Sequence, residues 1–597
     1  MYMNNRYFNH ILKTLLLPIK ENIIFFVMMY LLGMATTFIQ VIDLHYKVPL
    51  INFFTWVFDI YLICIILTIV PKKIRCILVF LFSFILYSLA IIDAFCVENF
   101  YAKLGSEILN LILDTNKQEA SEFADKYITG HVFFSSVTMI CLLVLLHIVT
   151  SAKASYFYKL TDRLFTYQPF RLLSVFAVLV CICISLPSRV RLVKFMLSKD
   201  TITADTYLSN HTFNTPFNNL LFSIKMRQLS SLELNEMIDY QRKVDVCKCD
   251  FTSPNIILII GESYIKSHSQ LYSYPIPTTP RQKRRLQDAS KGHLTVFSDV
   301  VAPANLTSIV FKSVFSLHSI DDTTSWKQSA LFPVLFKKAG YQVSFISNQF
   351  VKTVDRDIFN VSGGLFLNNN QLEKLQFDHR NSKAHQYDEE LLEDYDSLKQ
   401  YNTDHNLIIF HLAGQHIDFY KRCPDKHRKF QAQDYASRKD IDDTERQLVA
   451  DYDNATLYND IVVDSILSKF EDQDAVIIYM PDHGEECFDG IHRMGRMPQN
   501  NYSPSMVKNE YEIPFWIWCS NKYYNNHPEI VNLISSAKDR PFMTDDLPHL
   551  LLFLAGIQHQ EYNESKNLIS PAFNSKRKRL LDGKIDYDNM KENRLLF

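Results

Sequence analysis

The chain has almost no excess charge: 62 lysines and arginines face 64 aspartates and glutamates, a net charge of -2 over 597 residues. Without a basic field there is nothing to attract a nucleic-acid backbone, so that class of partner is set aside. Zinc-ribbon cysteine spacing is also missing. Cys64, Cys76, Cys96, Cys141, Cys181 and Cys183 sit in or beside very apolar sequence, where they read as small buried hydrophobes. The other five, Cys247, Cys249, Cys423, Cys487 and Cys519, are odd in number, which leaves at least one unpaired in any disulfide framework and the connectivity open. A small-residue cleavage site is lacking before the first apolar run, so the opening segment is not read as a cleavable signal.

What is present is a sharp division. Hydrophobic residues make up 48% of the chain and charged residues 21%, averages that conceal an apolar first third and a polar remainder. Five stretches, near 22–42, 49–70, 74–95, 131–150 and 171–188, have the roughly 18 to 22 apolar residues needed to cross a hydrocarbon core. Arg6, Lys13 and Lys20 precede the first. Lys72, Lys73 and Arg75 separate the second and third, and Lys153, Lys159, Arg163 and Arg171 the fourth and fifth. The connection at 43–48 has only Lys47. By the positive-inside rule the N-terminus is cytoplasmic, and an odd number of spans places everything after residue 190 on the far side. Between spans three and four, Leu104, Ile108, Leu111, Ile112, Phe123 and Tyr127 recur at helical spacing, an element expected along the outer membrane boundary. The mixed stretch near 200–245 is expected to bridge anchor and polar domain.

From residue 254 the pattern changes. PNIILIIG (254–261), YQVSFIS (341–347), NLIIFHL (406–412), DAVIIYM (474–480) and EIPFWIW (512–518) are short buried-strand runs separated by longer polar helical stretches. That rhythm predicts an α/β domain with a largely parallel sheet and its site beyond the carboxyl ends of the strands. Gly261-Glu262-Ser263 follows the first run, and Asp482-His483-Gly484-Glu485-Glu486 follows DAVIIYMP. A carboxylate from one strand end with Asp and His from another makes a compact oxygen and nitrogen site suited to zinc, and less to manganese.

With these residues in place the chain resembles the phosphoethanolamine transferases of the alkaline phosphatase and sulfatase superfamily. The resemblance is carried by GESYIKSHSQLYSYPIPTTP (261–280), NLTSIVFKSVFS (305–316), FISNQ (345–349), FHLAGQHIDFYKRCP (410–424) and MPDHGEECFDGIHRMGRMP (480–498), in the family's order. It extends into the anchor through ILDTNKQEASEF (112–123). It implies an anchor of five transmembrane helices (1–195), an amphipathic bridge (196–250), a periplasmic sulfatase-like catalytic domain (251–565) and a C-terminal tail (566–597), in a bacterial inner membrane. It also implies metal ligands at Glu262, Thr307, Asp482 and His483, with Thr307 as nucleophile. Metal coordination independently suits that role, because it lowers the pKa of a hydroxyl that is otherwise a poor nucleophile. Ser308 is the neighbouring rival, and motif register favours Thr307.

By the same resemblance, His416 and His492 contact the transferred phosphate or a second zinc, and Asn348, Gln349 and Lys352 hold phosphate or head group. Thr115 and Glu119 match a loop that meets the lipid head group, with Asn110 one residue out of spacing, while His411 lies on a strand and reads as structural. The implied reaction moves phosphoethanolamine from phosphatidylethanolamine to a lipopolysaccharide acceptor, lipid A or core, or to another envelope glycan. The cysteines that flank the nucleophile in lipid A modifying relatives fall near Pro303 and Ser313, so that disulfide is absent, and Ser273 replaces a usual glycine. Both departures point toward the branch acting on core or other glycans. The SKRKR run (575–579) reads as solvated. A lipoteichoic acid synthase-like glycerophosphate transferase shares the anchor and the threonine, and the GES…LYSY…TTP block argues against it. A formylglycine sulfatase needs a Cys-x-Pro-x-Arg stretch, which is missing, and a degenerate scaffold would have lost ligands that are all present.

Overall fold

The computed structural model describes residues 2–43, 51–100, 136–197, 216–349, 365–496 and 502–594. The chain divides into two compact units, Met1–Ser231 and Leu232–Phe597.

The first unit is helical: α1 (Tyr2–Glu21), α2 (Ile23–Asp43), α3 (Ile51–Ile69), α4 (Lys72–Phe100), α5 (Ser136–Ala152), α6 (Ala154–Thr166) and α7 (Gln168–Leu197). Each of the five apolar stretches falls largely on one of α2, α3, α4, α5 and α7. Among the described residues three helices are long and apolar enough to cross a membrane alone, and two bent pairs, α1 with α2 at 70° and α5 with α6 at 80°, raise the number to as many as five if each pair is one span. Large apolar side chains such as Phe80, Leu173 and Phe176 face outward, the arrangement expected where the surrounding solvent is hydrocarbon. Charge within the bundle is paired: Arg189 on α7 donates to Asp59 on α3, with Nε 2.7 Å from Oδ1. The head-group loop residues Thr115 and Glu119 lie outside the described residues, as does Lys352.

A further helix, α8 (Pro216–Lys243), occupies most of the stretch expected to bridge the two parts, and the division between units falls within it. The second unit is built on a seven-stranded sheet of β1 (Asn255–Gly261), β2 (His293–Val296), β3 (Gln342–Ser347), β4 (His379–Arg380), β5 (Asn406–His411), β6 (Ala475–Pro481) and β7 (Trp516–Cys519). Their spatial order is β2-β7-β6-β1-β5-β3-β4. The pairs from β6 to β4 are parallel and β7 is antiparallel to both its neighbours. All five predicted runs are strands of this sheet. The central strands read as continuous Ile, Leu and Val because both faces are covered. Ile256, Leu258 and Ile260 pack into one core layer, which also holds Val310 and Phe311 of α9 (Thr307–Phe315). Ile257 and Ile259 pack into the other, with Val462, Val463 and Ile466 of α10 (Asp443–Ser468).

Register fixes the working edge. Ile260 pairs with His411 and Gly261 with Pro481, so Glu262, Leu412 and Asp482 leave the sheet side by side. Among the cysteines, all eleven are free. The SKRKR reading is corrected: Arg579 is buried and pairs with Asp299 and Asp588, and Arg577 pairs with Asp321, Asp545 and Asp546. Only the lysines of the run behave as solvated side chains, because the arginines meet a set of carboxylates that is scattered in sequence.

Candidate metal and nucleophile site

Three side chains converge where β1 and β6 end. Glu262, Asp482 and His483 are each fully buried, and one donor atom from each lies within 4.8 Å of the others. Thr307, the first residue of α9, brings a fourth donor. Its hydroxyl donates to Asp482 Oδ2 at 2.6 Å and stands 3.4 Å from Glu262 Oε2 and 3.2 Å from His483 Nε2. That hydroxyl points into the cluster, and helix α9 has no side-chain cap.

The donor set fits a tetrahedral zinc ion. Bonds of about 2 Å at tetrahedral angles put ligand atoms roughly 3.3 Å apart. Beside the three Thr307 distances, His483 Nε2 lies 3.0 Å from Asp482 Oδ2 and 3.6 Å from Glu262 Oε1. The tautomer fits as well. His483 Nδ1 is 2.9 Å from the carbonyl of Gly484, which can only accept, so Nδ1 carries the proton and Nε2 offers its lone pair to the cluster. Burial raises the Asp482 pKa and pushes His483 down to about 3, with the Arg496 guanidinium adding to the latter effect. Glu485 is pushed up to about 7 by burial, Arg496 opposing. Buried carboxylates of this kind need a cation.

The surrounding loops are held tightly. Ser263 takes a left-handed backbone conformation, φ +53°; its N–H donates to Asp482 and its hydroxyl to Glu262, while Tyr452 donates to its carbonyl at 2.7 Å. Gly414 has φ +47°, and a Cβ there would come 2.9 Å from the Glu262 backbone nitrogen. A Cβ on Gly484 would meet the Asn509 carbonyl oxygen at 2.0 Å. Both positions therefore require glycine. Asp388, a buried residue, accepts from the N–H groups of Ala413 and Gly414 and from Asn348, each at 2.8 Å.

The remaining expected residues separate into groups. Gln349 joins the site, donating to Glu262 at 3.1 Å and to the Leu412 carbonyl at 2.9 Å. Asn348 is turned to the scaffold, its oxygen accepting from the His385 N–H and its amide donating to Asp388. His416 follows β5 and feels Glu262, His483 and Arg496; burial pushes its imidazole down to about 4. His492 stands apart, 65% exposed and paired with Glu445 at 3.0 Å. His411 is buried on its strand against Ser347 and Phe311. Sequence reasoning passed over Ser263 and Arg496. The first was visible inside the Gly-Glu-Ser motif, and the second carried no signal beyond being a cation among strand-end acids.

A central parallel sheet with a buried carboxylate, imidazole and hydroxyl cluster at its carboxyl edge defines an alkaline-phosphatase-type site. Residues 254–557, just over half of the chain, match the Sulfatase family model, and the chain belongs to that family. Within it the chain is a homologue of the phosphoethanolamine transferases. It is 25% identical over 523 residues to phosphoethanolamine transferase EptC of Escherichia coli strain K12, covering 84% of each chain. It is 34% identical over 288 residues to phosphoethanolamine transferase EptA of Helicobacter pylori, covering 46% of this chain and 50% of that one. The integral membrane lipooligosaccharide phosphoethanolamine transferase A of Neisseria meningitidis shares the fold, with a TM-score of 0.57, 19% identity and coverage of 91% of this chain and 97% of that one.

Proposed function

We propose that the chain transfers phosphoethanolamine from phosphatidylethanolamine to a lipopolysaccharide acceptor, lipid A or core, or another envelope glycan, through a covalent intermediate on Thr307. One observation carries the reading: the Thr307 hydroxyl meets Asp482, His483 and Glu262 at 2.6 to 3.4 Å, at the strand edge where an α/β site belongs. Glu262, Asp482, His483 and Thr307 would hold zinc, which supplies a lowered hydroxyl pKa and stabilisation of charge on phosphoryl oxygens.

The protein's own groups do the rest. Asp482 and the first turn of α9 aim Oγ1 at the incoming phosphorus, and the first N–H groups of a helix, lacking intrahelical partners, favour an anion there. Oγ1 forms a bond to phosphorus as the bond to the diacylglycerol oxygen breaks. The threonine proton passes through His416 to that leaving oxygen. In the second step the acceptor oxygen bonds to phosphorus, the threonine oxygen leaves, and His416 carries the acceptor's proton to it. Burial keeps the His416 imidazole neutral, the form that accepts a proton. Dividing the transfer in two lets bulky lipid-linked donor and acceptor use one site in turn. The charged loops of the helical unit support a catalytic unit outside the cytoplasmic membrane.

The test is mass spectrometry of the protein incubated with donor and no acceptor. A phosphoethanolamine adduct on the Thr307 peptide is expected, and it should be absent from Thr307→Ala. An adduct on Ser308, or full turnover by Thr307→Ala, would overturn the mechanism, and a glycerophosphate adduct from phosphatidylglycerol would favour the glycerophosphate transferase reading.

A further inference from the structure

Arg496 enters the cluster from the loop that follows β6, and every polar atom of its guanidinium is engaged there. Nη1 donates to His483 Nε2 at 2.6 Å and to the Asn305 carbonyl at 2.5 Å. Nη2 donates to the Ser263 hydroxyl at 3.2 Å and lies 3.6 Å from Glu262 Oε1, and Nε donates to Glu485 Oε2 at 3.3 Å. Among the described residues it is the one lysine or arginine that pairs with these carboxylates.

One of these contacts conflicts with an occupied site. A neutral imidazole nitrogen has one lone pair. With Nδ1 protonated toward Gly484, the Nε2 lone pair is the only one His483 can give, and here it receives the Arg496 N–H. A metal ion and this guanidinium cannot both hold it. The other anchors do not conflict. Glu485 is outside the donor set, and Asn305 is two residues before Thr307, so a guanidinium that lets go of Nε2 while keeping these two partners stays beside the nucleophile. Its planar fork of N–H donors matches phosphoryl oxygens.

We propose that Arg496 is an exchangeable counter-cation: it neutralises the ligand set until a metal binds, gives up His483 to that metal, and then holds the phosphoryl oxygens at Thr307. The inference rests on the metal-site reading above and goes beyond it, since it assigns one residue opposite effects on two ligands. Arg496 competes with metal and assists phosphate.

Both effects are measurable without turnover. The full-length protein in detergent is stripped with a chelator and titrated with zinc against an indicator dye, and the zinc-loaded protein is then titrated calorimetrically with inorganic phosphate. Thermal melting of each variant checks folding. Arg496→Ala should bind zinc about tenfold more tightly than the parent, because no internal cation has to be displaced. It should bind phosphate about tenfold more weakly, having lost a charge-assisted pair. Arg496→Lys, which keeps the charge without the fork, should show near-parental zinc affinity and intermediate phosphate affinity. Unchanged or weaker zinc binding in Arg496→Ala, or unchanged phosphate binding, would overturn the role of Arg496 alone. Failure of the parent protein to bind zinc would instead overturn the metal site itself.

Discussion

Two acid and histidine clusters of the catalytic unit are similar in make-up and opposite in character. In the first, His483 accepts at Nε2 from Arg496 beside Glu262 and Asp482, and the buried carboxylates outnumber the cations that meet them. In the second, His268 lies 2.6 Å from Asp453 through Nδ1 and 2.6 Å from Asp489 through Nε2. Ionised carboxylates only accept, so both its nitrogens carry protons and no lone pair is left for a metal. Tyr274 and Tyr435 donate to Asp453, and Arg438 donates to Asp489. Burial alone would lower the His268 pKa, but the two carboxylates raise it to about 10. The composition of a buried cluster therefore does not identify a metal site; what decides is whether its histidine donates or accepts.

Removing ligands is the strongest way to break the contrast. Glu262→Ala, Asp482→Ala and His483→Ala should each lose bound metal and at least about a thousandfold of kcat/KM. Thermal stability of the stripped protein should fall, because each change orphans buried partners: Ser263 and Gln349 at Glu262, Thr307 at Asp482, Arg496 at His483. Metal analysis beside calorimetric melting checks both halves. Next in size, His416→Ala should cost about a hundredfold in kcat, the usual yield of a general acid-base group, with metal content unchanged.

Replacing His268, unlike replacing a ligand, should spare the metal. His268→Asn leaves the buried Asp453 without its cation, while Asp489 keeps Arg438, and should lower stability by about 3 kcal/mol while metal stoichiometry stays at the parental value. The sign with pH follows from a folded pKa above the unfolded one. The stabilisation is complete below the unfolded value, near 6.5, and is lost as pH rises through about 10. Melting curves between pH 6 and 10 should fall for the parent and flatten for His268→Asn. The smallest effect is expected at His492, whose pair with Glu445 is largely exposed. His492→Ala should change stability by less than about 0.5 kcal/mol, and turnover should stay near the parental rate, which sharpens the assignment of proton transfer to His416.

Much of this architecture is legible in the amino-acid sequence. Continuous branched apolar runs gave β1, β3, β5 and β6 to within a residue or so, since strands covered on both faces leave no other pattern. The acids and histidine directly after β1 and β6 could be read as ligands because those strand ends are where an α/β sheet exposes side chains. The EIPFWIW run became only the four-residue β7, with Glu512 forming an isolated bridge to Val301. The short strands β2 and β4 left no readable run because their residues are only half buried. The His268 clamp and the place of Arg496 depend on loops from distant parts of the chain meeting, as does the capture of Arg577 and Arg579 by carboxylates. Charge pattern along a sequence holds no record of such meetings. Asn348 shows the same limit at one residue: its position was foreseen, while the inward turn of its amide was set by Asp388 and His385.

The strand order also dictates when the enzyme can exist during its own synthesis. Strand β1 is the first of the sheet to be made and lies near its centre, yet its neighbours begin only at Asn406 and Ala475. Until then Ile256–Ile260 have no ladder on either side, and between those two points one edge remains bare. A chain arrested before residue 475 is therefore not a weakened catalyst but an apolar strand in search of a partner, the kind of species that aggregates. Asp482 and His483 follow directly on the strand that closes that edge, so the last central ladder and the ligand set are completed together.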